Sequence, residues 1–184
     1  MKPVGNIAQQ NILHQHMGDA FLRLSPFLQN FHSGRKTLVG TVEVVNGRGV
    51  AWLLCRVMRF PRTNQKVKLR IDCDHQAKKI NWNRQFNDFQ MNSSFYQDGD
   101  DLVEHLNGLH LYVKAVEREG DLHYQFHRAK FLGVPIPFIF CPKIIAYEKE
   151  VNTECHFTVD VTMWLLGKVI AYGGVISLYK EEDR

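Results

Sequence analysis

From Lys66 to Asp74 the chain alternates without a slip, Val67, Leu69, Ile71 and Cys73 against Lys66, Lys68, Arg70 and Asp72. Successive strand side chains point to opposite faces, so this stretch predicts a β-strand with one wet face. Comparable patterns bounded by turn residues predict strands over 36–45, 78–88, 91–97, 102–106, 109–118, 122–131, 143–150, 154–165 and 168–180. Turns are expected at Asn46-Gly47, Asp98-Gly99-Asp100, Asn107-Gly108 and Glu119-Gly120-Asp121, and a proline-punctuated crossing over 133–142.

Two regions carry a helical period instead. Over 6–30, Ile7, Leu13, Met17, Phe21, Leu24 and Leu28 form one apolar stripe; Gly18 interrupts it, Ser25-Pro26 restarts it and Ser33-Gly34 ends it. Over 49–59, Val50, Leu53, Leu54 and Val57 lie on one side of a helix that Phe60-Pro61 stops. Short links between neighbouring strands favour an up-and-down meander, and closure or strong curling removes its exposed edges. The expected fold is therefore mostly β (α+β): a single antiparallel up-and-down β-barrel or strongly curved sheet with an N-terminal helical segment and one inserted helix. Residues 1–184 are expected to form one domain, with 1–34 as a helical cover, 35–180 as the barrel-like body containing the helix at about 49–59, and 181–184 as a frayed tail.

Hydrophobic residues at 45% and charged residues at 23% are ordinary for a globular chain, which at 184 residues buries roughly two thirds of its unfolded surface. The net charge of +4 is mild. Arg56, Arg59, Arg62, Lys66, Lys68 and Arg70 straddle a helix, a proline loop and a strand, the pattern of a solvated rim and not of a nucleic-acid face. The start of the chain shows no basic region followed by an apolar run, and the apolar run at 131–141 holds two prolines and is too short to span a bilayer. Cys55, Cys73, Cys141 and Cys155 form no CxxC pair. A cytoplasmic protein with reduced thiols and no membrane insertion is the expectation.

The period of two also sorts the ionisable residues. Trp82, Arg84 and Phe86 share a face, as do Leu102, Glu104 and Leu106; Leu122, Tyr124, Phe126 and Arg128 line up likewise, as do Ile144, Ala146 and Glu148. Arginines and glutamates placed among apolar neighbours need partners, because isolated burial of a charge is prohibitive. Two readings follow. Arg84 pairs with Glu104 or Glu148 as a structural ion pair, with Arg128 near the rim; or Arg84 presents its fork to a carboxylate or phosphate in a solvated cavity.

Other signatures are weak. Gly47-Arg48-Gly49 lacks the P-loop lysine and hydroxyl, and Ser93-Ser94 has no companion histidine at a defined spacing. The nine histidines form no metal-ligand spacing: His14 and His16 are two apart on a helix, and His123 and His127 stand four apart on a strand, roughly 13 Å. No metal or cofactor is expected. Gly173 and Gly174 mark a bulge, a sharp bend or a close approach of ligand to backbone, beside Tyr172, a core aromatic or a hydroxyl contact.

The order of several segments resembles an uncharacterised, mainly bacterial family, the domain of unknown function DUF4166. The matching residues are Met17-Gly18-Asp19-Ala20-Phe21 with Leu24, Pro26 and His32; Gly40 with Gly47-Arg48-Gly49; and Trp82-Asn83-Arg84-Gln85-Phe86. They continue through Ser94, Glu104, 133–137, Pro142, Glu148, Phe157, Gly167, Tyr172 and Gly174. The chain departs at Gly173, where a bulkier residue is expected, and at Phe138, where the family often carries arginine. The resemblance implies little about activity; association with reductase-like or membrane segments implies, by analogy, a reductase-like partner and a small metabolite.

Together these readings point to a non-enzymatic binding domain for a small, partly apolar or anionic metabolite. Its site would comprise Trp82, Arg84, Phe86, Glu104, Arg128, Glu148 and Tyr172. Two alternatives stand beside it: an enzyme using one glutamate as general acid or base, and a structural or interaction module without a ligand.

Overall fold

The computed structural model describes residues 11–179. Ile7 of the expected apolar stripe and the expected tail at 181–184 lie outside them. The elements run α1 (Ile12–Met17), a 3-10 turn (Gly18–Arg23), α2 (Pro26–Phe31), β1 (Gly34–Asn46), α3 (Val50–Val57), β2 (Asn64–His75), β3 (Ile80–Phe86), β4 (Phe89–Asp98) and β5 (Asp101–Leu106). They continue with β6 (Leu109–Arg118), β7 (Asp121–Phe131), the two-residue β8 (Val134–Pro135), a 3-10 turn (Phe138–Phe140), β9 (Lys143–Val151), β10 (Glu154–Met163) and β11 (Gly167–Leu178). Every pairing is antiparallel: β1 to β6 follow in order, β6 pairs with β7, β7 with β9, and β11 returns to β1. The result is a closed ten-stranded barrel, with β8 a short appendage on β7.

Alternation fills the interior as the sequence predicts. Val67, Leu69, Ile71 and Cys73 are all buried, while Lys66, Lys68 and Arg70 face water. The N-terminal segment breaks into two short helices, because Gly18 takes a left-handed φ of 56° that ends α1. The restart holds: the Ser25 hydroxyl accepts from the Leu28 N–H and Pro26 occupies the first turn. Ile12, Leu13, Phe21, Leu24, Leu28 and Phe31 sink into one end of the barrel, and the Ile12 and Ser25 N–H groups donate to the carbonyls of Gln76 and Gly120 in two hairpin turns there. α1 and α2 are thus a plug.

α3 covers the other end but presents the opposite side from the one expected. Its apolar residues form two stripes. Ala51, Cys55 and Met58 pack inward with Leu54 half-buried, while Val50, Leu53 and Val57 face solvent at 55–68% exposure. A helix apolar nearly all round gives periodicity nothing to choose by.

Arg128 also departs from expectation. The β6–β7 register passes from Tyr112↔Arg128 to Val113↔Phe126, so β7 carries one extra residue, His127, and its alternation reverses beyond it. Ala129 turns inward, and Arg128 lies outside, its guanidinium 3.8 Å above the Tyr112 ring and 3.1 Å from Asp101.

Gly173 and Gly174 sit in unbroken register with β1, not at a bulge. Neighbouring backbone crowds them: a Cβ on Gly174 would lie 2.3 Å from the Thr41 carbonyl oxygen, and one on Gly40 would lie 2.0 Å from that of Val175. The β1–β11 seam therefore closes only without side chains at these two positions. Gly40→Ala is expected to cost about 1–3 kcal/mol in urea unfolding, and an unchanged midpoint would show that the seam is loose.

Candidate functional site

β3 aims Arg84 into the barrel, where it is only 5% exposed. Its Nη1 donates to the Ser93 hydroxyl at 2.8 Å, its Nη2 to Glu104 Oε1 at 3.1 Å, and its guanidinium lies 4.6 Å from the centre of the Trp82 ring. Burial pulls the guanidinium pKa down, but Glu104 and Tyr172 outweigh it and hold it above the ordinary value, so the charge persists. The expected Arg84–Glu104 pair is thus present, and each partner sits on the strand face that alternation assigns.

Glu148 has a different partner. Its Oε2 accepts from His32 Nε2 at 2.6 Å, and its Oε1 lies 3.5 Å from the Tyr124 hydroxyl. His32 is fully buried at the end of α2, its ring 5.4 Å from that of His75 and 6.2 Å from that of Trp82. His75 Nδ1 donates to the Gly34 carbonyl, and burial, with His32 next, lowers its pKa to about 3, so the ring is neutral. Among the described residues, His32 Nδ1, His75 Nε2 and Trp82 Nε1 are buried without a hydrogen-bond partner. A chain of contacts therefore runs Glu104–Arg84–Trp82–His32–Glu148–Tyr124, hydrogen-bonded at its two ends and joined in the middle by ring contacts of Trp82 with Arg84 and His32.

Beside this chain lies a cavity of about 120 Å³. Trp82, Arg84, Glu104, Tyr124, Glu148 and Tyr172 supply its polar wall, and residues such as Leu69, Met91, Ile144 and Val161 supply the rest. Burial raises the Tyr172 hydroxyl to about 12 and the Tyr124 hydroxyl well above its usual value, so both remain proton donors near neutrality. Burial likewise pushes the Cys73 thiol up to about 12, far from a nucleophilic thiolate. Of the sequence-predicted residues, Trp82, Arg84, Glu104, Glu148 and Tyr172 line the cavity. Phe86 packs edge-on against Tyr172 in the core, and Arg128 is outside.

The β7–β9 ladder is the shortest in the barrel wall. β7 and β9 pair only from Leu122↔Glu148 to Gln125↔Ile145, after which β7 turns to β8. An outer groove of about 1030 Å³ lies over this divergence, and Tyr124, Ile144 and Ala146 line both groove and cavity. The groove and the cavity thus share three lining side chains.

The histidines were within reach of the pattern. His75 extends the inward series 67, 69, 71 and 73 by one step, and His32 lies four residues beyond Leu28 on the apolar stripe. Neither spacing tells that Glu148 waits 116 residues away.

The fold and the site define a closed antiparallel barrel with a charged, hydrogen-bonded interior and a small cavity. The chain belongs to the family described as Domain of unknown function (DUF4166), whose model matches residues 24–176. No curated protein matches its sequence. The matched span holds every residue of the polar chain.

Proposed function

We propose that this protein is a binding domain for a small, mostly apolar molecule with one polar end. The observation that carries the reading is the interior cavity, apolar on most sides and polar on the Arg84–Tyr172–Glu148 wall. At about 120 Å³ it is smaller than drug-sized sites of roughly 300–1,000 Å³ and near the size that accepts benzene, about 150 Å³. The Arg84 fork is already shared between Ser93 and Glu104, which favours a neutral oxygen on the guest over a carboxylate. The Trp82 indole N–H and the Tyr172 hydroxyl are the donors it would meet, the Tyr124 proton being directed to Glu148. Ligand entry runs through the β7–β9 seam. An enzymatic reading would rest on Glu148, whose two oxygens are occupied by His32 and Tyr124.

Phenol, a ring with one hydroxyl, is the probe. At ten times its Kd it should stabilise the wild type by about 1.4 kcal/mol, a rise of roughly 3–6 °C in Tm. Ala146→Leu, which fills the cavity, should abolish the rise. Equal responses of the two proteins, or no saturable NMR shifts in the wild type, would count against the cavity as a site. Native mass spectrometry of the purified protein, followed by denaturing extraction, then identifies any natural guest.

A further inference from the structure

The end of the barrel opposite the plug carries an unusual surface. On α3, Val50, Trp52, Leu53 and Val57 are 52–68% exposed. In the β7–β9 connection Leu132, Val134, Phe138 and Ile139 project, Phe138 at 89%, and the β10–β11 turn adds Trp164 and Leu165. Direct contacts tie these segments into one rim. Cys55 Sγ on α3 donates to the Val169 carbonyl at the start of β11. Asn107 Nδ2 in the β5–β6 turn donates to the Met58 carbonyl, and the Leu132 N–H to that of Gly108. Trp164 closes the circuit across the groove from Phe138 and Ile139.

The charges on this rim are mostly of one sign, with the exposed Asp88 of the β3–β4 turn as an acid at the same end. The segments 46–63, 105–110, 129–147 and 161–169 contain Arg48, Arg56, Arg59 and Arg62 around α3, and Lys130, Lys143 and Lys168 elsewhere, with no Asp or Glu. Arg56 stacks on Trp52, and Lys168 pairs with Asp160 just outside the rim. The plugged end mixes both signs: Asp98, Asp100 and Asp101 lie in one hairpin and Glu117, Glu119 and Asp121 in another, with Arg118 among them and Lys78 and Lys79 in the β2–β3 turn.

We infer that this rim docks on the surface of a bilayer containing anionic lipid. Exposed tryptophans and aliphatics on separate projections, interleaved with cations that outnumber the acids, suit an interface that is apolar below and negative above. The apolar groups enter the headgroup boundary while the arginines and lysines stay with the phosphates. The barrel wall stays out of the lipid, because the outward faces of its strands carry charges such as Lys66, Lys68, Arg70 and Asp72 on β2. Among the described residues no helix is long and apolar enough to cross a membrane, so the contact is peripheral. The inference does not depend on the cavity binding anything.

The test is sedimentation of the full chain with vesicles of phosphatidylcholine alone or with 30% phosphatidylglycerol. Binding to the anionic vesicles should exceed binding to the neutral ones at least tenfold and should fall at least fivefold in 0.5 M salt. Trp52→Ser/Leu53→Ser and Arg56→Glu/Arg59→Glu should each cut the anionic-vesicle partition at least tenfold. All four positions are exposed, so an unchanged Tm confirms folding; brominated lipid should also quench wild-type tryptophan fluorescence, a readout that needs no variant. Equal partition to both vesicles, absence of quenching, or dimerisation in solution that the same substitutions abolish would overturn the proposal, the last assigning the rim to a second copy of the chain.

Discussion

Glu104→Ala should lower the unfolding free energy by about 3–5 kcal/mol, because it leaves a buried guanidinium with no counter-ion. Arg84 is 5% exposed, and Glu104 and the Ser93 hydroxyl are the hydrogen-bond partners of its fork. The loss corresponds to a fall in Tm of roughly 6–20 °C for a chain of this size. The double change Arg84→Met/Glu104→Leu should recover most of it, since well-packed apolar residues commonly replace a buried ion pair at little cost. Urea unfolding of the three proteins at pH 7 measures this. A Glu104→Ala protein within about 1 kcal/mol of wild type would mean that the guanidinium is hydrated from the cavity, contrary to a dry ion pair. The double variant has a second use: it keeps the barrel while stripping the polar wall, so it separates the stability role of Arg84 from its role in binding.

Acid should weaken the protein through His75 from about pH 6.5 downward. The folded-state pKa of His75 is lowered to about 3, by burial first and the neighbouring His32 second, with Lys36 adding and the Gly34 carbonyl and Asp74 opposing. In the unfolded chain it returns to roughly 6.5. Between these values the unfolded chain binds a proton that the native state excludes, so stability is whole above pH 6.5 and declines as pH falls towards 3. The expected loss is roughly 2 kcal/mol by pH 5 and about 4–5 kcal/mol in total. Urea midpoints at pH 7.5, 6 and 5 should show this slope in the wild type and a flatter one in His75→Gln. Parallel slopes would remove His75 from the account. The same ring closes one side of the polar chain through His32, so its protonation should also disturb the Glu148 contact.

The interior polarity was legible because strand alternation is a local rule. Trp82, Arg84, Glu104 and Glu148 were assigned inward by counting in twos, and all four line the cavity. Counting fails where a strand gains a residue. Nothing around His127 announces the bulge that sends Arg128 outside, since it arises from how β7 must curve against β6. It fails again on α3, where both stripes are apolar and only the available barrel end decides which is buried. The consequence is functional, for the stripe left outside is part of the proposed docking rim.

Side-chain order along the chain dictated ten wall strands, a capping segment at Ser25-Pro26 and the inward direction of one arginine and two glutamates, because backbone sterics impose their periods within a few residues. Pairing across the sheet decided the remainder: the β3–β4–β5 meander chose Glu104 over Glu148 for Arg84, and barrel closure set His32 as the partner of Glu148, the seam beside Tyr124 and the outward face of α3. Those outcomes join residues tens of positions apart, and no local period carries information about which remote groups a closing sheet brings within hydrogen-bonding distance.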